Sequence, residues 1–192
     1  TLKITNQTTN KGAIKAQQAV KLGTGLLSNF GCIKSDGGSV TITTSEALNN
    51  AGYIYAPAKL TIQADQLVNK DRIITEQTGS IKVKGTIDNI EIIQATGALD
   101  IQAQQVNNAK IISSKSDLLS ITAPSQIQNS GRLESKKSLM LQTASVYNQA
   151  SGVILSEEAV ALQDIQVLNN TGAIQGDSVT HTGQPTINNT GS

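Results

Sequence analysis

Large aromatic side chains are nearly missing from this sequence: no tryptophan, one phenylalanine and three tyrosines in 192 residues. A rounded globular core of this length draws much of its buried area from such rings, so a different kind of core is expected. Cysteine is scarcer still. Cys32 stands alone, which excludes an internal disulfide and any thiolate metal site. A chain so poor in cysteine tolerates an oxidising space without mispairing. An excess of one charge is also lacking, with 15 Lys and Arg against 14 Asp and Glu. No basic stripe points to nucleic acid, and no charged tail points to a membrane surface. No apolar run approaches a membrane span, and the first residues do not read as a signal peptide. Membrane insertion is therefore not expected, and if the parent protein is exported this piece is expected to be internal to it.

What the chain does contain is Ile, Leu, Val and Ala mixed with abundant Asn, Gln, Ser, Thr and Gly. That mixture suits strands joined by many tight turns. It is also ordered by a repeat, the first thing to seek because a fixed period decides the architecture. The repeat is anchored on Asn10, Asn29, Asn50, Asn69, Asn89, Asn108, Asn129, Asn148, Asn170 and Asn189, spaced 19 to 22 residues apart. Two residues before each stands an aliphatic, from Leu27, Leu48 and Leu67 to Leu168 and Ile187, with Thr8 as the departure. Two residues after stands Gly12, Gly31, Gly52, Gly131, Gly172 or Gly191, replaced by Asp71, Glu91 and Lys110 in the middle repeats. Four after come Ile14, Ile33, Ile54, Ile73, Ile93, Ile112, Leu133 and Ile174, and six after a small residue. The repeat of Asn148 carries a two-residue insertion before Gly152 resumes the pattern.

A second strand precedes each asparagine, marked by aliphatics at alternate positions such as Leu60-Ile62-Ala64 and Leu119-Ile121-Ala123. A period of two places these side chains on one face of an extended strand. Each repeat thus reads as strand, turn, a short strand around Asn-x-Gly-x-Ile, and a polar turn. One such coil cannot bury its inward row alone, but stacked coils make a continuous aliphatic column. The predicted fold is all-β, a right-handed parallel β-helix of about ten coils with a period near 20 residues. Such a rod is roughly 48 Å long at the spacing of neighbouring strands. The asparagines are expected to form a ladder at a corner, each amide bonding to the next coil. The following glycines are read as supplying positive φ. Ser156 to Leu168 has helix-forming composition, yet Val160, Leu162 and Asp164 fall in strand columns, so a strand is expected. Residues 1–192 are read as a single array, a fragment of a longer rod.

The repeat resembles the haemagglutinin-type repeats of filamentous haemagglutinin and related large exoproteins of two-partner secretion systems. The likeness rests on Leu48-Asn-Asn50-Ala-Gly52-Tyr-Ile54, Ile127-Gln-Asn129-Ser-Gly131-Arg-Leu133 and Leu168-Asn-Asn170-Thr-Gly172-Ala-Ile174, and runs from Leu2 to Gly191. That family includes adhesins and the stick-like toxins of contact-dependent growth inhibition. The resemblance implies the exterior of a Gram-negative cell, with export through a partner outer-membrane transporter. Asp71, Glu91 and Lys110 depart from the family's glycine, so altered turns are expected there.

Few residues invite a chemical role. His181, the sole histidine, occupies an inward column near the C-terminal end, without the cluster a metal needs. Asp164 is expected in the inward small-residue column. Asp71, Glu91 and Lys110 stack on successive coils, the nearest thing to an acid–base cluster, but they replace turn residues and no long loops flank them. Cys32 lies in the outward column three residues after each asparagine, with no base nearby to activate it. The same column holds Tyr53, Ile92 and Ile111, with Tyr55 and Ile74 alongside. Exposed apolar groups gathered in this way can mark a contact site. The sequence therefore reads as a non-catalytic rod segment without cofactor or metal. The alternative is a receptor- or glycan-binding module on the outer face of the coils.

Overall fold

The computed structural model describes residues 1–192 and contains strands but no helix. Each coil uses its twenty or so residues for three short strands, which join three separate sheets. Sheet A holds the strands rich in alternating aliphatics, in order from Leu2–Lys3, Ala19–Thr24, Ser39–Thr44 and Leu60–Ala64 onward to Ser178–His181. Sheet B holds the strands that end on the repeat asparagine, from Gln7–Asn10 to Thr186–Asn189. Sheet C holds those that follow it, from Ala13–Ala16 to Ala173–Gln175. Sheets A and B have ten strands each and sheet C has nine, so the chain completes nine turns of a parallel β-helix and begins a tenth. Every pairing is parallel and joins strands one coil apart, for example Leu60, Ile62 and Ala64 with Gly79, Ile81 and Val83.

The sequence reading joined the asparagine and the isoleucine four residues later in one short strand; the structure divides them between sheets B and C. In several coils the asparagine side chain braces the division. Its Nδ2 donates to the carbonyl two residues on, as from Asn69 to Asp71 (2.9 Å) and from Asn129 to Gly131 (3.1 Å), which closes a turn between the two strands. The repeat glycines do not supply the positive φ expected of them. Among non-glycine residues only Asp164 has positive φ, and among glycines only Gly183. Space is the reason instead: a Cβ on Gly31 would lie 2.0 Å from the carbonyl oxygen of Gly12 in the coil below, and one on Gly131 would lie 2.1 Å from that of Lys110. At Asp71, Glu91 and Lys110, which each carry a Cβ, the asparagine bond across the corner persists: Asn69, Asn89 and Asn108 donate to their carbonyls at 2.9, 2.9 and 3.5 Å.

Inside, 37 buried apolar residues form one continuous cluster from Val20 to Leu168. The columns are stacks of like on like: Ile62, Ile81, Ile101 and Ile121 in sheet A, and Ile54, Ile73, Ile93 and Ile112 in sheet C. The aliphatic column thus replaces the aromatic core that the composition lacks. Asp164 does not join it. The residue is exposed at φ 60°, and its carboxylate accepts a hydrogen bond from Gln142 Nε2 at 2.8 Å. Its left-handed conformation turns the acid outward and lets Ile165, fully buried, take the inward place, because an unpaired carboxylate in an aliphatic column would cost far more than the backbone strain. The stretch 156–168 is extended as expected, with the strand Ala159–Gln163 followed by Val167–Asn170. The insertion after Asn148 forms a turn in which Gly152 N donates to Gln149 O at 2.7 Å, and Ile154 then pairs with Leu133 in register.

Candidate functional site

The ten repeat asparagines stand in one row at the corner between sheets B and C. From Asn10 through Asn170 each Nδ2 donates to the Oδ1 of the next, and all nine bonds measure 2.7 or 2.8 Å. All but Asn189 are buried. Several amides also donate to a carbonyl in the following coil, as Asn69 does to Ile92 and Asn89 to Ile111. The row is internal and fully engaged, so it holds the rod together and offers nothing to a ligand.

The outer face of sheet C is where chemistry is exposed. Its register sets out two outward columns. One runs Cys32, Tyr53, Arg72, Ile92, Ile111, Arg132; the other runs Lys34, Tyr55, Ile74, Gln94, Ser113, Glu134. The structure therefore brings Tyr53, Tyr55, Ile74, Ile92 and Ile111 onto one face, each half-buried by its neighbours. Tyr53 and Tyr55 stack with ring centroids 5.7 Å apart, and the Arg72 guanidinium lies 5.2 Å from the Tyr53 ring centre. That is cation–π distance. The Tyr55 hydroxyl donates to the Glu76 carboxylate in the next coil. This bond, helped by slight burial, pushes the Tyr55 phenol up to about 12. Burial also raises Tyr53, against the opposing pull of Arg72. Further along, partial burial pushes Glu134 upward, but hydrogen bonds from Lys115 and Arg132 outweigh it and hold the carboxyl below its ordinary value. The neighbouring Ser113 hydroxyl is buried without a partner.

The other candidates disperse. Glu91 is bound by Lys110 at 3.0 Å through both oxygens, and Asp71 lies 3.5 Å from Arg72, so each carboxylate has its own cation. His181 pairs in register with Leu162, in the inward column, yet is exposed in the last strand of sheet A. Cys32 is half-buried beside Tyr53 rather than fully exposed. Sequence reasoning missed Phe30 and Ile90, which are 58% and 46% exposed. Both directly follow a ladder asparagine, and tracing that column through Lys11, Phe30, Ala51, Lys70 and Ile90 would have found them.

The haemagglutinin-repeat profile matches residues 33–91, 75–136 and 119–192, which together run unbroken from 33 to 192. The chain belongs to the haemagglutinin-repeat family. Its relatives include a protein named Toxin CdiA from Escherichia coli and one named tRNA nuclease CdiA from Escherichia coli strain NC101. Each is 30% identical over 98 residues, a stretch that covers 50% of this chain and 3% of the relative. The nuclease named in the second is an activity of that protein. No solved structure matches the chain. Within the repeat family, the chain's regular part is the internal ladder and aliphatic column; the Tyr53–Tyr55–Arg72 cluster belongs to coils three and four alone.

Proposed function

We propose that the chain is a length of non-catalytic rod in a large secreted bacterial surface protein, exported through the outer-membrane transporter of a two-partner system. There it holds an adhesive or toxic module away from the cell. The observation that carries this reading is the unbroken stacking of three sheets around one aliphatic column and one asparagine row. Such a body transmits position along its axis and grows by identical steps. Nine steps at the inter-strand spacing separate first from last strand by roughly 43 Å. Electron microscopy of the purified chain should show straight particles of that scale, with no release of reducing sugars from bacterial or host glycans. Flexible or rounded particles, or glycan cleavage lost in Asp71→Asn with Glu91→Gln, would overturn it.

A second reading, contact with a receptor on a target cell, is favoured by the outer face of sheet C. Aromatic and Arg side chains are the groups on which interfaces most often depend, and here Tyr53, Tyr55 and Arg72 are pre-stacked beside Ile74, Ile92 and Ile111. Saturable binding to intact bacterial or epithelial cells, lost in Ile92→Ser with Ile111→Ser, would support contact. Binding unchanged in that variant would leave the face as packing.

A further inference from the structure

The largest concavity on the rod lies elsewhere, along the ends of the sheet A strands and the turns that lead from them into sheet B. It is a groove of about 620 Å³ that runs along the axis across five coils. Its depth has a sequence cause: the floor is made of the small buried residues Thr44, Ala64, Val83 and Ala103. One wall is a row of polar side chains in unbroken register, Thr43, Gln63, Lys82, Gln102 and Thr122. A second concavity of about 480 Å³ shares Thr43 and Thr44 with the first and continues it toward Lys21 and Lys3. Lys21 and Lys82 have no carboxylate partner, and Gln63 makes no side-chain hydrogen bond as a donor or acceptor within the protein; the one acid that lines the groove, Asp65, is paired with Lys84 at 2.7 Å, and Gln102 Nε2 donates to Asp100 beside the groove at 3.0 Å, which leaves its oxygen and one N–H open. The groove also lies toward the basic end of the rod. Five lysines precede the first acidic residue, Asp36, whereas residues 138–192 carry four carboxylates and no Lys or Arg.

We propose that this groove binds a linear acidic polysaccharide laid along the rod axis, its carboxylates meeting Lys82 and Lys21 and its hydroxyls meeting the row of glutamines and threonines. The amide of glutamine both donates and accepts, as the hydroxyl of threonine does, so the row matches sugar hydroxyls without demanding one orientation. Unpaired ammonium groups at the groove give an attraction that rises as salt falls. Other polyanions fit less well. No aromatic ring lines the groove, so the stacking platform that single-stranded nucleic acid uses is missing. The strands of both sheets pair along the axis with the coils above and below, so the groove presents no strand edge for a peptide to extend. The proposal adds a binding surface to the rod, and its failure leaves the rod reading standing, because particle shape is measured separately.

The test is fluorescence anisotropy with labelled polygalacturonate oligomers against the purified chain, with neutral dextran, oligothymidylate and polyglutamate as comparison probes. Binding should be saturable, weaken with salt, and be absent for dextran. Lys82→Gln should weaken it about fivefold, since one close charge is removed from a docked polyanion, and Gln63→Ala with Gln102→Ala should weaken polygalacturonate while sparing polyglutamate. Lys70→Gln makes the same charge change at the corner between sheets B and C and should leave binding unchanged. Circular dichroism establishes that each variant is folded. Absence of polygalacturonate binding, equal losses in Lys70→Gln and Lys82→Gln, or equally tight oligothymidylate or polyglutamate binding would each overturn the proposal.

Discussion

At the scale of single residues, the asparagine row and the Tyr55–Glu76 pair make distinct demands. Removing an interior amide weakens one partner and strands another: in Asn69→Ala, Asn50 Nδ2 keeps only its longer bond to the Arg72 carbonyl at 3.4 Å and Asn89 Oδ1 loses its donor. Each buried polar group left unpaired costs about 1–3 kcal/mol, so Asn69→Ala should destabilise the rod by about 3 kcal/mol in urea unfolding. Asn189→Ala, at the exposed end of the row where water can take the place of its oxygen for Asn170 Nδ2, should cost well under that. Tyr55 tests the alkaline side. Its folded-state value, about 12, stands above the ordinary 10.0, so the bond to Glu76 contributes stability below pH 10 and loses it as pH rises through 12. Tyrosinate absorbance should show a transition near 12, and Glu76→Gln should bring that transition back toward 10. A titration that ignores Glu76→Gln would show that the carboxylate does not hold the phenol. Residue identities were legible from sequence in proportion to their repetition. Ten asparagines reveal a row, whereas Asp164 occurs once, and nothing in its neighbours announces that it turns out in favour of Ile165.

At the scale of strands, the alternation Leu60-Ile62-Ala64 stated which side faces inward, because a strand has only two sides. The boundary between sheets B and C was not legible. It is a turn braced in several coils by a hydrogen bond from a side chain to a carbonyl two residues on, and a hydropathy pattern does not record such a bond. The glycine column was visible but its cause was not, since the close approach of Gly31 to Gly12 is made between coils 19 residues apart. The outward apolar column was readable for the same reason as the inward one, through register; its stacking with Arg72 became apparent only with the side chains in place. Energetically the strands depend on their place in the stack. Ile101 is fully buried between Ile81 and Ile121, and Ile101→Ala should cost about 3 kcal/mol through lost burial and the cavity left behind. Ile187, 47% exposed in the last strand of sheet B, should cost well under about 1 kcal/mol on the same change. Urea midpoints of the two variants check the contrast.

At the scale of the whole molecule, coils that touch only their neighbours should be exchangeable units. Deleting residues 70–108 joins Asn69 to Ala109 and places Ile112 four residues after an asparagine, as Ile73 was. Circular dichroism should then show intact β-structure that unfolds cooperatively at a lower urea midpoint. Deleting 70–98 joins a sheet B strand to a sheet A strand and should abolish the fold. Equal damage from both deletions would show that the coils are not interchangeable.

The asparagine row carries one more consequence. Because every amide gives its proton in the same direction, from lower to higher residue number, the rod has a grain, as timber has. A coil joined to it in the same sense meets an N–H with an oxygen and the row continues. A coil joined upside down sets N–H against N–H at one end and oxygen against oxygen at the other. The molecule therefore distinguishes its two directions all along its interior, at every level where it might be spliced, and segments exchanged between such rods must be inserted with the grain.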